Sequence, residues 1–123
     1  SGTNPKSVPG ALVDYTITVA NTGGSNVDVN SALIADILPS SVSFFNGDID
    51  TATAGTQNFI FTPNSSGLTL ASGNISYSNN SGSSYAYAPA GGYDPAVDAV
   101  RFQPQGTMAA NSSFSILIRT RIN

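Results

Sequence analysis

Apolar and polar side chains alternate along this chain in short runs, and the clearest run begins at Ala11. In A-L-V-D-Y-T-I-T-V-A-N-T-G-G, Val13, Tyr15, Ile17 and Val19 fall on one face and Asp14, Thr16 and Thr18 on the other. That is the period of two of a half-buried strand. Asn21 to Gly24 end it, because Asn and Gly readily adopt the positive φ that a reversal needs. The final run has the same character: Phe114, Ile116, Ile118 and Ile122 share one face, and Ser113, Ser115, Arg119 and Arg121 the other. Between them the pattern predicts one or two strands over residues 27–38, kinked near Asn30 and Ser31 and stopped by Pro39. Further strands are predicted over residues 40–45, 57–62, 68–70, 75–78 and 98–102, with Asn46-Gly47 as a turn and residues 48–56 as a loop. Tyr77 faces Tyr85 and Tyr87 across the polar segment 79–84, which predicts a hairpin. Residues 88–95 hold Pro89, Gly91, Gly92 and Pro95 and read as a loop. About eight or nine short strands between regular turn signals predict an all-β fold, an immunoglobulin-like antiparallel β-sandwich.

Composition narrows this. A chain of 123 residues and 12.5 kDa fits one domain. Residues 1–10, with two prolines and two glycines, read as an extended leader or strand-exchange segment in which Pro9-Gly10 turns into the first strand, and residues 11–123 as the sandwich. All seven acidic residues are Asp and Glu is absent, which disfavours helix. The net charge of −3, with Lys6, Arg101, Arg119 and Arg121 scattered, leaves no footprint for a nucleic-acid backbone. No apolar run approaches the roughly 20 residues of a membrane-spanning helix. Cysteine is absent, so no disulfide framework exists.

Candidate chemistry is sparse. Without His or Cys, imidazole and thiolate chemistry and every Ser-His arrangement are excluded, and no Asp pair sits in a glycosidase-like context, so the reading is not an enzyme and no cofactor is expected. Asp48 and Asp50 in N-G-D-I-D, and Asp94 and Asp98 in Y-D-P-A-V-D, offer hard oxygen ligands to Ca²⁺. Neither segment has the spaced donors of a dedicated calcium loop, and turn chemistry is the stronger reading. Tyr77, Tyr85, Tyr87 and Tyr93 form either a platform for sugar rings or ordinary cross-strand packing, the latter favoured. Asn64, Asn74, Asn79 and Asn111 each begin N-x-S, acceptor sites for glycans where the machinery exists.

The run N-P-K-S-V-P-G-A-L-V-D-Y-T-I-T-V-A-N-T-G-G, followed by A-D-I-L-P-S-S-V-S-F, resembles the conserved repeat domain of bacterial and archaeal surface and secreted proteins, domain of unknown function eleven. The downstream runs Y-S-N-N-S-G-S-S-Y-A-Y-A-P, Y-D-P-A-V and Q-G-T-M-A-A-N-S-S-F look like a single-domain secreted branch of it. The resemblance implies an immunoglobulin-like sandwich outside the cell or on its surface. Asp36, shared with the family pattern, reads as a turn cap. Related domains carry a further strand ahead of the N-P-K segment; if Ser1 is the mature terminus, one sheet lacks an edge strand and invites a partner.

These readings converge on a non-enzymatic extracellular structural protein that assembles with copies of itself by strand addition into a surface filament or matrix. Asn4, Pro5, Lys6, Ser7 and Val8, or the last strand, are the segments expected to pair with a neighbour's edge. The alternatives are an adhesin or carbohydrate-binding module, with other surface proteins or glycans as partners, and a passive spacer repeat of a larger surface protein.

Overall fold

A computed structural model of the chain describes residues 8–50, 52 and 55–123. Among these, β1 (Leu12–Asn21), β2 (Ile34–Ile37), β3 (Val42–Asn46), β4 (Ile60–Thr62), β5 (Ile75–Ser78), β6 (Gly92–Asp94), β7 (Ala99–Phe102) and β8 (Ser112–Ile122) form two antiparallel sheets packed as a β-sandwich. The only helical element among them is one 3₁₀ turn, Ser72–Asn74. The all-β expectation therefore holds.

β8 organises the larger sheet because its alternation is the most complete. Ser112, Phe114, Ile116, Ile118 and Thr120 are buried, with a less buried residue between each. It pairs along its whole length with β1, Leu12 opposite Arg121 and Asn21 opposite Ser112. Its other side is shared by β3, which pairs near Thr120, and β4, which pairs near Ile116, and β6 adds to β3. The smaller sheet has β7 between β2 and β5. Val100 and Phe102 of β7 meet Phe44, Phe114, Ile116 and Ile118 in one core, with Val97, Met108 and Leu68 sealing the ends. Buried Thr120 satisfies its hydroxyl by donating to the Val13 carbonyl at 2.8 Å, as a polar group in a core must.

Turn chemistry works as expected at Pro9-Gly10. Gly10 has φ +86°, the Ala11 amide donates to the Val8 carbonyl at 3.0 Å, and Gly10 and Ala11 together stand opposite Ile122. This is a glycine bulge that starts β1.

Four expectations need correction. Residues 27–29 are not a strand: the Val27 amide donates to the Met108 carbonyl, and a turn over residues 28–31 follows, with Asn30 at φ +56° bound to Gly106. The segment 68–70 contributes only a bridge between Thr69 and Gln105. β4 is confined to residues 60–62 rather than starting at Gln57. The predicted loop 88–95 contains β6, which exists because β3 offers it an edge: the Phe45 and Tyr93 rings meet at 4.7 Å, and the Asn46 amide donates to the Pro89 and Ala90 carbonyls.

Candidate functional site

Among the described residues, sheets of unequal width leave one side of the sandwich without a covering strand, the side bounded by β1 and β2. Ile122 donates to the Ala11 carbonyl, so in the continuous register that follows the odd residues of β1 bond to β8. Leu12, Asp14, Thr16, Thr18 and Ala20 then turn their N–H and C=O groups outward. Among the described residues no strand pairs with that outer edge. The edge has little to guard it. It carries no proline, and its one charge, Asp14, is held by Arg119 of β8 through two hydrogen bonds, at 2.9 and 3.2 Å. This contact with Arg119 keeps the Asp14 carboxyl below the usual carboxylate range.

Facing inward from the same strand, Tyr15, Ile17 and Val19 pack on the core yet stay half-buried. At the end where β1 finishes, a cleft of about 380 Å³ runs between Val19, Val27, Leu33, Ile34 and Met108. Ile34, which lines this cleft, begins the interior-facing row that continues through Asp36 of β2 to Leu38 just after the strand, with Asp36 opposite fully buried Val100. Asp36 thus lies within a strand and caps no turn. Its carboxylate has no hydrogen-bond or ion-pair partner among the described residues, and burial pushes its pKa up. The alternation of Ile34, Asp36 and Leu38 was the sequence signal for this placement, obscured by the proline that follows.

The other candidate residues are employed locally. Asp48 accepts from the Asp50 and Gln57 amides, Asp50 from the Ala52 amide, and Asp98 from the Ser81 amide. Asp94, 5% exposed, accepts from the Tyr87 hydroxyl at 2.7 Å and from the Ala90 and Ala96 amides, each at 2.8 Å. Burial alone would raise its pKa, but these three donors outweigh that and lower it, while the same bond raises that of Tyr87. Among the described residues no three His, Cys, Asp or Glu side chains gather as a metal site needs.

The four tyrosines do not share a face. Tyr77 lies 5.4 Å from Phe44 and its hydroxyl accepts from Asn58, and burial raises its pKa. Tyr87 bridges to Tyr77 and points its hydroxyl at Asp94. Tyr85 lies under Arg101 of the smaller sheet at 4.4 Å, and Tyr93 under Arg121 of the larger one at 4.0 Å. Asn64, Asn79 and Asn111 are exposed, Asn64 and Asn111 at positive φ, and Asn74 is half-buried. Asn4, Pro5, Lys6 and Ser7 lie outside the described residues; Val8, just after them, is 56% exposed. No protein-family model, curated protein or solved structure matches the chain.

Proposed function

We propose that this protein is a non-enzymatic structural module of the cell surface or extracellular space that assembles with copies of itself by β-strand addition along the outer edge of β1. The observation that carries this is the edge itself: ten residues of regular strand, unpaired on one side among the described residues, beside a half-buried apolar row. Soluble proteins ordinarily blunt such an edge with proline, lysine, a bulge within the strand or a covering loop. An incoming strand gains a main-chain ladder there, and alternate apolar side chains find the strip of Tyr15, Ile17 and Val19. Head-to-tail repetition of one such contact propagates as a filament.

The setting rests on the resemblance of P-G-A-L-V-D-Y-T-I-T-V-A-N-T-G-G and A-D-I-L-P to the repeat domain of surface proteins, which also suggests the immunoglobulin-like variant of the sandwich. A carbohydrate-binding role has less support, because the tyrosines are divided between the two sheets and the interior. Sedimentation and electron microscopy of the purified chain over a wide concentration range test the proposal. Concentration-dependent oligomers or fibres are expected, and a monomer at every concentration overturns it.

A further inference from the structure

Asp36 is an odd residue to find on the interior-facing row of an edge strand. A carboxylate half removed from water and without a partner among the described residues costs stability, and the apolar neighbours Ile34 and Leu38 offer it nothing. The charge nevertheless shares its row with Ile34, which lines the cleft at the end of β1, so alternate side chains of a strand added to β1 would turn toward that row. A cation arriving there would find its counter-ion already in position and partly desolvated, where an ion pair counts for more than on an open surface.

The chain has four basic residues. Arg119 is bound to Asp14, Arg121 lies over Tyr93, and Arg101 lies over Tyr85 on the face of β7 turned away from the core. Lys6 is the remaining one, and it stands in N-P-K-S-V two positions before Val8. In an extended segment residues two apart share a face. Lys6 and Val8 would therefore turn inward together, a cation for Asp36 and an apolar group for the cleft of Val19, Ile34 and Met108. Ile34 and Asp36 are themselves two apart on β2, so the two pairs match in spacing.

We infer that the occupant of the open side is the segment Asn4–Val8 of a second copy, with Lys6 paired to Asp36 and Val8 seated in the cleft. This rests on the strand-addition reading and gives it a donor and a specificity-determining contact. The sequence expectation that residues 4–8 mediate self-association thereby acquires an acceptor.

The test is sedimentation velocity on the full chain, comparing the parent with Lys6→Gln, Asp36→Asn and the exchanged pair Lys6→Asp with Asp36→Lys. Each single substitution is expected to weaken association about tenfold, and the exchanged pair to recover most of it. Asp36→Asn removes a charge without a partner, so its melting temperature at low concentration should equal or exceed the parent's, which separates lost pairing from lost folding. Val8→Cys in a mass-labelled copy mixed with unlabelled Ile34→Cys should give a disulfide of mixed mass under mild oxidation. Unchanged association in both single variants, or no recovery in the exchanged pair, overturns the Lys6–Asp36 assignment while leaving strand addition standing. In a chain carrying both Val8→Cys and Ile34→Cys, a disulfide formed only within one chain overturns the second copy as its source. A parent chain that never associates removes both proposals.

Discussion

Three carboxylates show how one residue type serves different ends according to what surrounds it. Asp94 ties residues 87–96 together through one hydroxyl and two amides. Replacing it by Ala leaves those part-buried donors without their acceptor, at an expected loss of about 2–3 kcal/mol, whereas Tyr87→Phe removes a single bond and should cost about 1 kcal/mol. Urea denaturation reads both. Asp94 and Asp14 have folded pKa values below the usual range, so the stability they confer is complete above their unfolded values and is lost as pH falls through the folded ones. The parent should weaken below about pH 4, and Asp94→Asn, lower at neutral pH, should show a shallower loss. Asp36 has the opposite sign. Its folded pKa is raised, so its ionised form costs stability at neutral pH, and the cost is relieved as pH falls through the raised value.

At the level of the strand, the ladder of β1 separates two functions that share one backbone. Even residues face the open edge and odd residues face β8. Thr16→Pro removes an outward N–H and should leave the β1–β8 ladder whole, changing stability by no more than about 1 kcal/mol while abolishing association. Ile17→Pro removes a donor to β8 and should cost about 3 kcal/mol or more. Thermal melts paired with sedimentation distinguish the two, and association by the Thr16 variant at parental strength would mean that the edge is not the contact. β1 and β8 were legible in the sequence because each alternates over at least ten residues, long enough for period two to exclude other readings. β5 was legible for its flanking turns. β6 was not, since Gly92, Tyr93 and Asp94 become a strand through pairing with β3 and through Asn46, partners distant in sequence. Residues 27–29 misled for the converse reason: they alternate, but the segment 106–110 beside them is joined through single backbone bonds at Val27 and Asn30 and through Asn side chains, not through a strand ladder. Asp94 was visible as a loop acid, yet nothing local disclosed that its acceptors' work was for amides on either side of it.

For the molecule as a whole, the unequal sheets decide where stability can still be gained. The closed interior around Ile116 is complete within one copy, so Ile116→Ala should cost about 3–4 kcal/mol regardless of concentration. Ile17, on the half-exposed row of β1 opposite Ile116, has part of its side chain still in water, and Ile17→Ala in a dilute monomer should cost only about 1–2 kcal/mol. Strand addition would bury the remainder. Any species that binds the folded chain and not the unfolded one raises the melting temperature with its concentration. The parent's melting temperature should therefore climb with protein concentration, and the penalty of Ile17→Ala should grow with it, while that of Ile116→Ala stays constant. Scanning calorimetry over a hundredfold range of concentration measures all three. Parallel, concentration-independent losses for the two isoleucines would place the row of β1 in a finished core and close the open side to any partner.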